Sequence, residues 1–292
     1  MATLGFNLTT AAKAIHSEQI NPDVIKAPAI VRCYEGVAWQ ADASEGKASV
    51  YRFLSFGAAT ISGTQTETEA ISATDFSLNY GEATAGVVGR RHFVSKQGLQ
   101  DAIIGQDAIY NDLAEKVRNR VNKDVCAMAS NAATELDKTG EECTLDNLEA
   151  AYAGFLALNP NLQRHLFLAS NAQIAHIRKS IRTSGNGGLI HSAGLDVFTG
   201  RVNSAYQGNW GSIEVWRGDM PDDGVSDVAG LFTAANEPGG QSGLGLAVWW
   251  APTPDIEPKA TQVGAEFVVT ARYGVTITAA HLAHRLVTKK AV

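Results

Sequence analysis

Apolar residues recur along this chain with two periods, and the change from one to the other divides it. The stretch "SVYRFLSFG" alternates, with Val50, Arg52 and Leu54 on one side and Tyr51, Phe53 and Ser55 on the other, which predicts a strand. "TDFSLNYGEATAGVVGRRHFVS" is again strand-like, with Gly81, Gly86 and Gly89 as expected bulge or bend sites. Together they predict one long hairpin from Ala48 to Ser95. At its far end lies "TISGTQTETEAISATD", Thr60 to Asp75, whose only two large apolar residues are Ile61 and Ile71. Such a finger cannot build a core, and a two-stranded ribbon is marginal alone. The hairpin is therefore expected to take its stabilising surface from another part of an assembly.

The period then becomes helical. Asp107 is the expected N-cap, and Ile109, Leu113, Val117, Val121 and Val125 recur every four residues, with Met128 following at three. This predicts a helix to about Leu136, on the order of 45 Å long at ~1.5 Å per residue. "DKTGEE" is expected to end it, with Gly140 just past the last helical residues. Thr144 is the expected cap of a second helix, "LDNLEAAYAGFLAL", closed by Asn159–Pro160. "RHLFLAS" predicts a short buried strand, "NAQIAHIRKSIR" a helix with Ile174, Ile177 and Ile181 on one face, and "SIEVWRG" another strand. These make a compact α/β region from about 144 to 235. The end is β-rich: "LGLAVWWA" predicts a strand ending at Pro252, "AEFVVTARYGVTIT" a long strand interrupted at Gly274, and "HRLVT" the last. The long helix is expected to pack across these strands. Residues 1–46 have few periodic features and are expected to form an extended arm lying on something else.

Composition narrows the function. The chain has 292 residues, enough for one large domain or two ordinary ones, and 45% apolar with 18% charged residues is a globular balance. A net charge of −6 argues against a protein that grips nucleic acid by neutralising phosphates, though not against one that encloses it. The three cysteines form no C-x-x-C pair, so neither a zinc knuckle nor a disulfide framework is expected, and a reducing compartment fits. The N-terminus lacks the basic and apolar regions of a signal peptide, and no apolar run approaches the roughly 20 residues that cross a bilayer.

The search for chemistry is short. "TSGNGG" lacks the Lys and Ser/Thr of a phosphate-binding loop and follows a helix, so it is expected to be a surface loop. His281 and His284 fall in a strand-like context where they point opposite ways. His92, His165 and His176 are isolated from an obvious carboxylate or nucleophile. Cys126 is expected as a small core residue, and Cys143 follows two glutamates, a poor setting for a reactive thiolate. No catalytic, cofactor-binding or metal-binding residue is expected. Adjacent Trp249 and Trp250 must face opposite ways, leaving one either half-covered by a loop or free as an interface anchor. Glu67, Glu69 and Asp75 are either solvated or paired with arginines of a neighbouring subunit.

The order of elements and their texture resemble the major capsid proteins of tailed bacteriophages, the Hong Kong 97 fold. "SATDFSLNYGEA" leading through a polar gap into "YNDLAEKVRNRVNKDVCAMAS" is similar to that family's passage from E-loop to spine helix, and "AEFVVTARYGVTIT" resembles its late P-domain strand with a Tyr–Gly break. The resemblance covers nearly the whole chain and implies an α+β fold. It comprises an N-terminal arm (1–46), an extended E-loop (47–96), a P domain with spine helix (97–143), an A domain (144–240), and P-domain strands with the C-terminus (241–292). It implies a coat protein, not an enzyme, self-assembling as pentamers and hexamers into an icosahedral shell around double-stranded DNA held without sequence-specific contacts. The partners implied are a separate scaffolding protein, a portal and decoration proteins. The location implied is the virion, after assembly in the host bacterial cytoplasm. Ile61, Thr64, Thr66, Glu67, Glu69, Ile71 and Asp75 would be inter-subunit contacts at the E-loop tip. Trp249 and Trp250 would be interface anchors, and Ile109, Leu113, Val117, Val121 and Val125 the spine-helix core. No lysine lies between Lys47 and Lys96, so the excursion offers no amine for the Lys–Asn crosslinks some members form. The rival expectations are an encapsulin-like nanocompartment shell and a soluble hydrolase with a dispersed triad.

Overall fold

A computed structural model describes residues 33–44, 48–56, 78–95, 106–159, 164–183, 205–210, 213–222, 224, 227–234, 242–259 and 264–290. The finger residues Ile61, Thr64, Thr66, Glu67, Glu69, Ile71 and Asp75, the run 184–188, and the arm before residue 33 lie outside the described residues.

The described chain opens with a short helix α1 (Tyr34–Val37) and strand β1 (Trp39–Asp42). Strands β2 (Val50–Phe56), β3 (Leu78–Thr84) and β4 (Gly86–Ser95) follow, then helix α2 (Gln106–Ala127) and strand β5 (Ala133–Lys138). Helix α3 (Leu145–Leu158), β6 (His165–Ala169), α4 (Asn171–Thr183), β7 (Tyr206–Trp210), β8 (Ile213–Arg217) and β9 (Asp227–Ala234) come next. Strands β10 (Leu244–Lys259), β11 (Gly264–Ile277) and β12 (Ala283–Lys289) close the chain. One sheet has the order β1-β10-β11-β4 and a second the order β5-β12-β9-β6-β8-β7, while β2 and β3 pair as a separate ribbon. Helices and mixed sheets in one chain make an α+β fold, as expected.

The first sheet works on both faces. On one, alternate residues of β11 (Phe267, Val269, Ala271 and Tyr273) join Leu244 and Leu246 of β10 in a core with α2. Leu113, Val117, Val121 and Val125 of α2 are buried in that core, and Ile109 packs on it half-buried. Asp124 marks the edge of the seam, accepting a 2.6 Å hydrogen bond from the Tyr273 hydroxyl and pairing with Arg120 at 2.9 Å. On the opposite face Ala247 and Trp249 of β10 meet Phe53 and Ala83 of the ribbon. The second sheet buries Phe167, Ile213, Val215, Phe232 and Leu286 against Leu148 and Phe155 of α3 and Ile174 and Ile177 of α4. Thr144 caps α3 as expected, accepting from the Asn147 N–H at 3.3 Å.

Several expectations need correction. Helix α2 begins at Gln106, so Asp107 lies inside it, and it ends at Ala127 instead of about Leu136. A 3-10 turn over Met128–Asn131 leads into β5, which pairs in parallel with β12. Pairing with β12, across one register shift between Arg285 and Leu286, outweighs the helical propensity of Ala133, Glu135, Leu136 and Lys138. Gly140, with φ at +78°, therefore turns the chain after a strand and not after a helix. The hairpin is interrupted too: β2 pairs with β3, but β4 leaves the ribbon and pairs with β11 from Gly86 to Ser95. Strand β10 does not stop at Pro252. Pro254 and Pro258 pair opposite Val269 and Ala265, beyond the last β1 contact at Val248, where the outer edge of β10 needs no N–H donor. Nor is β11 interrupted at Gly274, which pairs with Ala247 mid-strand. The last strand β12 sits in the second sheet between β5 and β9, not in the sheet that α2 crosses.

Candidate inter-subunit surface

The ribbon is anchored at its root and bare above it. Phe53 is fully buried, edge-on to Trp39 at 5.0 Å and to Tyr51 at 4.9 Å. The approach is so close that only glycine fits at three crossing points. A Cβ on Gly245 would lie 2.7 Å from the Phe53 ring, one on Gly81 2.3 Å from the Ile277 carbonyl oxygen, and one on Gly274 2.5 Å from the Thr84 carbonyl oxygen. Gly81 and Gly274 therefore serve ribbon-on-sheet contact, not bulges. Gly274→Ala is expected to cost about 2 kcal/mol in urea unfolding because backbone must move. Gly86→Ala, whose nearest neighbour would stand at 3.8 Å, should stay within about 0.5 kcal/mol of the parent. Equal values for the two would refute close packing as the reason for Gly274.

Leu54 and Tyr80 face each other across the ribbon on its outer side and remain 57% and 54% exposed. Arg52 lies over the Tyr80 ring at 4.8 Å and pairs with Glu82 at 2.9 Å, dressing this face without covering it. Strand β4 ends its sheet, so its far edge pairs with no described strand, and it exposes Val87 and Phe93 beside Arg90, Arg91 and His92. Between β4 and α2 lies an open cleft of about 440 Å³ lined by Arg90, Lys116 and Arg120 among others. Lys116 and Arg120 are paired with Asp112 and Asp124, whereas Arg90 makes no ion pair among the described residues.

The two tryptophans divide. Trp249 is buried in the ribbon root and donates its Nε1–H to the Ala48 carbonyl at 2.8 Å, so it anchors the chain to itself. The interface expectation for the pair narrows to Trp250, which is 39% exposed beside the Arg272 guanidinium, 5.4 Å from its ring centre. Trp249 continues the ribbon-facing alternation of Gly245 and Ala247, and a register shift between Val248 and Trp250 falls at the same place.

The chemistry-bearing residues are occupied structurally. Cys143 is buried, and burial pushes its thiol up to about 12. His165 Nδ1 lies 2.7 Å from the Tyr152 hydroxyl, and His176 Nδ1 accepts from the Cys143 N–H. His281 sits in a 3-10 turn, not a strand, with burial holding its imidazole below the usual range, and His284 opens β12. Among the described residues no group of three His, Cys, Asp or Glu could hold a metal ion, and no helix is long and apolar enough to cross a membrane. Sequence reasoning missed the ribbon-root cluster, although the glycines at 81, 245 and 274 and the aromatics Trp39 and Phe53 were there to be paired.

No family model matches the sequence, and no curated protein matches it by sequence. Solved structures do match over most of the chain. The acidic stable capsid of Helicobacter pylori bacteriophage KHP30 is similar at a TM-score of 0.62 and 11% identity, covering 86% of each chain. The capsid of a native GTA particle is similar at 0.61 and 13% identity over 91% of each. A structure from Mycobacterium phage Che8 is similar at 0.58 and 14% identity over 89% of each. At such identities the likeness is one of architecture, and it places the chain in the Hong Kong 97-type capsid fold.

Proposed function

We propose that this chain is the major capsid protein of a tailed phage, a tile of an icosahedral shell that encloses double-stranded DNA. The observation that carries the reading is the ribbon: its inner face is locked into its own subunit, while Leu54 and Tyr80 on its outer face are left apolar and bare. A subunit that ends in such a surface gains by laying it on a copy of itself. The segment between Phe53 and Gly89 has no Lys or Arg and carries Glu67, Glu69, Asp75 and Glu82. Arg90 of β4 in a neighbouring copy, which makes no ion pair among the described residues, is its natural counterpart. Repetition around a closed shell turns many weak contacts into a stable one.

In this reading residues 1–46 are the arm, 47–96 the E-loop, and 97–143 with 241–292 the P domain, while 144–240 form the A domain. The copies associate as pentamers and hexamers. Scaffolding, portal and decoration proteins are separate chains, and assembly in the host bacterial cytoplasm precedes residence in the virion. The net charge of −6 suits a wall that holds packed DNA without clamping its phosphates.

Size-exclusion chromatography followed by electron microscopy tests the reading on the purified chain. Closed shells or ring-shaped capsomers are expected, and particles from a producing host should contain double-stranded DNA. A monomer of 30.9 kDa at all concentrations would overturn shell formation. Shells filled with protein and free of nucleic acid would overturn the genome.

A further inference from the structure

Cys33 and Cys126 stand 93 positions apart in sequence, yet their Sγ atoms lie 3.4 Å apart beneath α1 and α2. Both residues are fully buried. The pair is built into its surroundings. Asn122, one turn before Cys126, accepts at Oδ1 from the Cys33 N–H at 3.0 Å and from the Cys33 thiol at 3.1 Å. The main-chain donor fixes which end of the amide faces Cys33. It leaves Asn122 Nδ2 buried with no hydrogen-bond partner among the described residues. On the other side Gly218 closes over Cys126, where a Cβ would come within 2.8 Å of the sulfur. The two sulfurs are thus held in contact with little room to separate.

We propose that Cys33 and Cys126 are a latent cross-link site, which a low-molecular-weight disulfide of the glutathione class converts into an intrachain disulfide. The bond would tie the chain entering α1 to the end of α2. Disulfide sulfurs stand at about 2.05 Å, so closure asks the pair to approach by roughly 1.4 Å. Contact with Cys126 and burial both hold the Cys33 thiol well above its usual range, so docked Cys33 stays protonated and unreactive. Reaction begins when α1 lifts. This helix has four residues, with Tyr34 and Val37 buried in the core and the Ser242 hydroxyl donating to the Val37 carbonyl at 2.9 Å, so its lifting is a local opening of the fold.

The exchange balances. The Cys33 thiolate attacks one sulfur of the reagent disulfide, its S–S bond breaks, and the first small thiolate leaves. On redocking, the Cys126 thiolate attacks the Cys33 sulfur of that mixed disulfide and expels the second. Two protein thiols are oxidised, one small disulfide is reduced to two thiols, and the two cysteine protons pass to the leaving thiolates. A loop of this length is where a cross-link most constrains the unfolded chain. The inference concerns the single chain and stands apart from the shell reading.

The test incubates the full chain with oxidised glutathione, then unfolds it, alkylates it with iodoacetamide and maps peptides without reduction. The Cys33 and Cys126 peptides should be joined and Cys143 fully alkylated. The oxidised chain should melt several degrees above the reduced one, a gain that dithiothreitol removes and that Cys126→Ser does not acquire. Repeating the incubation in urea below the unfolding transition ensures that α1 opens. Two alkylated thiols after that treatment, or a glutathione adduct remaining on Cys33, would overturn the proposal.

Discussion

Val125→Asp is expected to destabilise the folded chain by about 4 kcal/mol at neutral pH. Val125 is 1% exposed and lies in the core that α2 shares with β10 and β11. A carboxylate there loses its water and gains no cation on the buried face, so the uncompensated charge sets the cost. Total stability of a domain is on the order of 5–15 kcal/mol, so soluble yield should fall as well. The pH dependence has a definite sign. Burial raises the introduced carboxyl above its unfolded value, so the native state binds more protons between the two pKa values. Stability is then lost as pH rises through that interval. The deficit in urea unfolding should be smaller near about pH 4 than near about pH 7. Lys123→Gln, on the exposed side of the same helix, should stay within about 0.5 kcal/mol of the parent. Matching curves for the two variants would mean that the apolar stripe of α2 is not core.

That stripe is the part of the fold a reader of the sequence sees most easily, because five apolar residues at four-residue spacing state one face of one helix. Its end is harder to see. Leu136 falls eleven residues after Val125, in phase with the helix, yet it belongs to β5, and only the pairing with β12 reveals this. Periodicity reports local geometry, and a strand partner 150 residues away is not local. The same holds for the return strand of the hairpin. "GVVGRRHFVS" looks like ribbon because it is extended, but which edge it joins is decided by β11. Pro252 and Gly274 misled for another reason: each normally marks a break, and here each fills a special position. Pro252 lies where the outer edge of β10 is open, and Gly274 lies where Thr84 crosses.

The two faces of the ribbon were legible in outline, whereas the finger residues expected to touch a neighbour lie outside the described residues. An alternating strand with Leu54 on one side and Phe53 on the other announces a two-faced ribbon, and the two faces meet opposite fates. What the sequence could not show is that the Phe53 face is satisfied at home. The ribbon does not depend on another copy for all of its stability, since Trp249, Ala247 and Gly245 take its root. Trp249 and Trp250 are equivalent on paper, and Trp249 anchors the chain because it is in phase with Gly245 and Ala247 on the ribbon side of β10. The Cys33–Cys126 contact spans 93 positions and leaves no spacing pattern at all.

Because the root is held within the subunit, removing the finger separates folding from assembly. Deleting Ser62–Ala73 is expected to leave a soluble, cooperatively folded chain that fails to close shells. The pairing of β2 with β3 ends at Phe56 opposite Leu78, so the deletion leaves residues 57–61 and 74–77 to join them. That connection is ample for an antiparallel pair. It keeps the buried Phe53 contact and the outward Leu54 and Tyr80, and takes away Glu67, Glu69 and the β-prone threonines. Far-UV circular dichroism and the urea midpoint should match the parent, while sedimentation and electron microscopy should find free capsomers or monomers. Leu54→Lys should act in the same direction on closure, since it charges the bare face without touching the root. Shells of normal size and yield from the deletion would show that the finger is dispensable and that the contacts closing the container lie elsewhere. An unfolded product, with Leu54→Lys still assembling, would instead mean that the finger serves its own subunit.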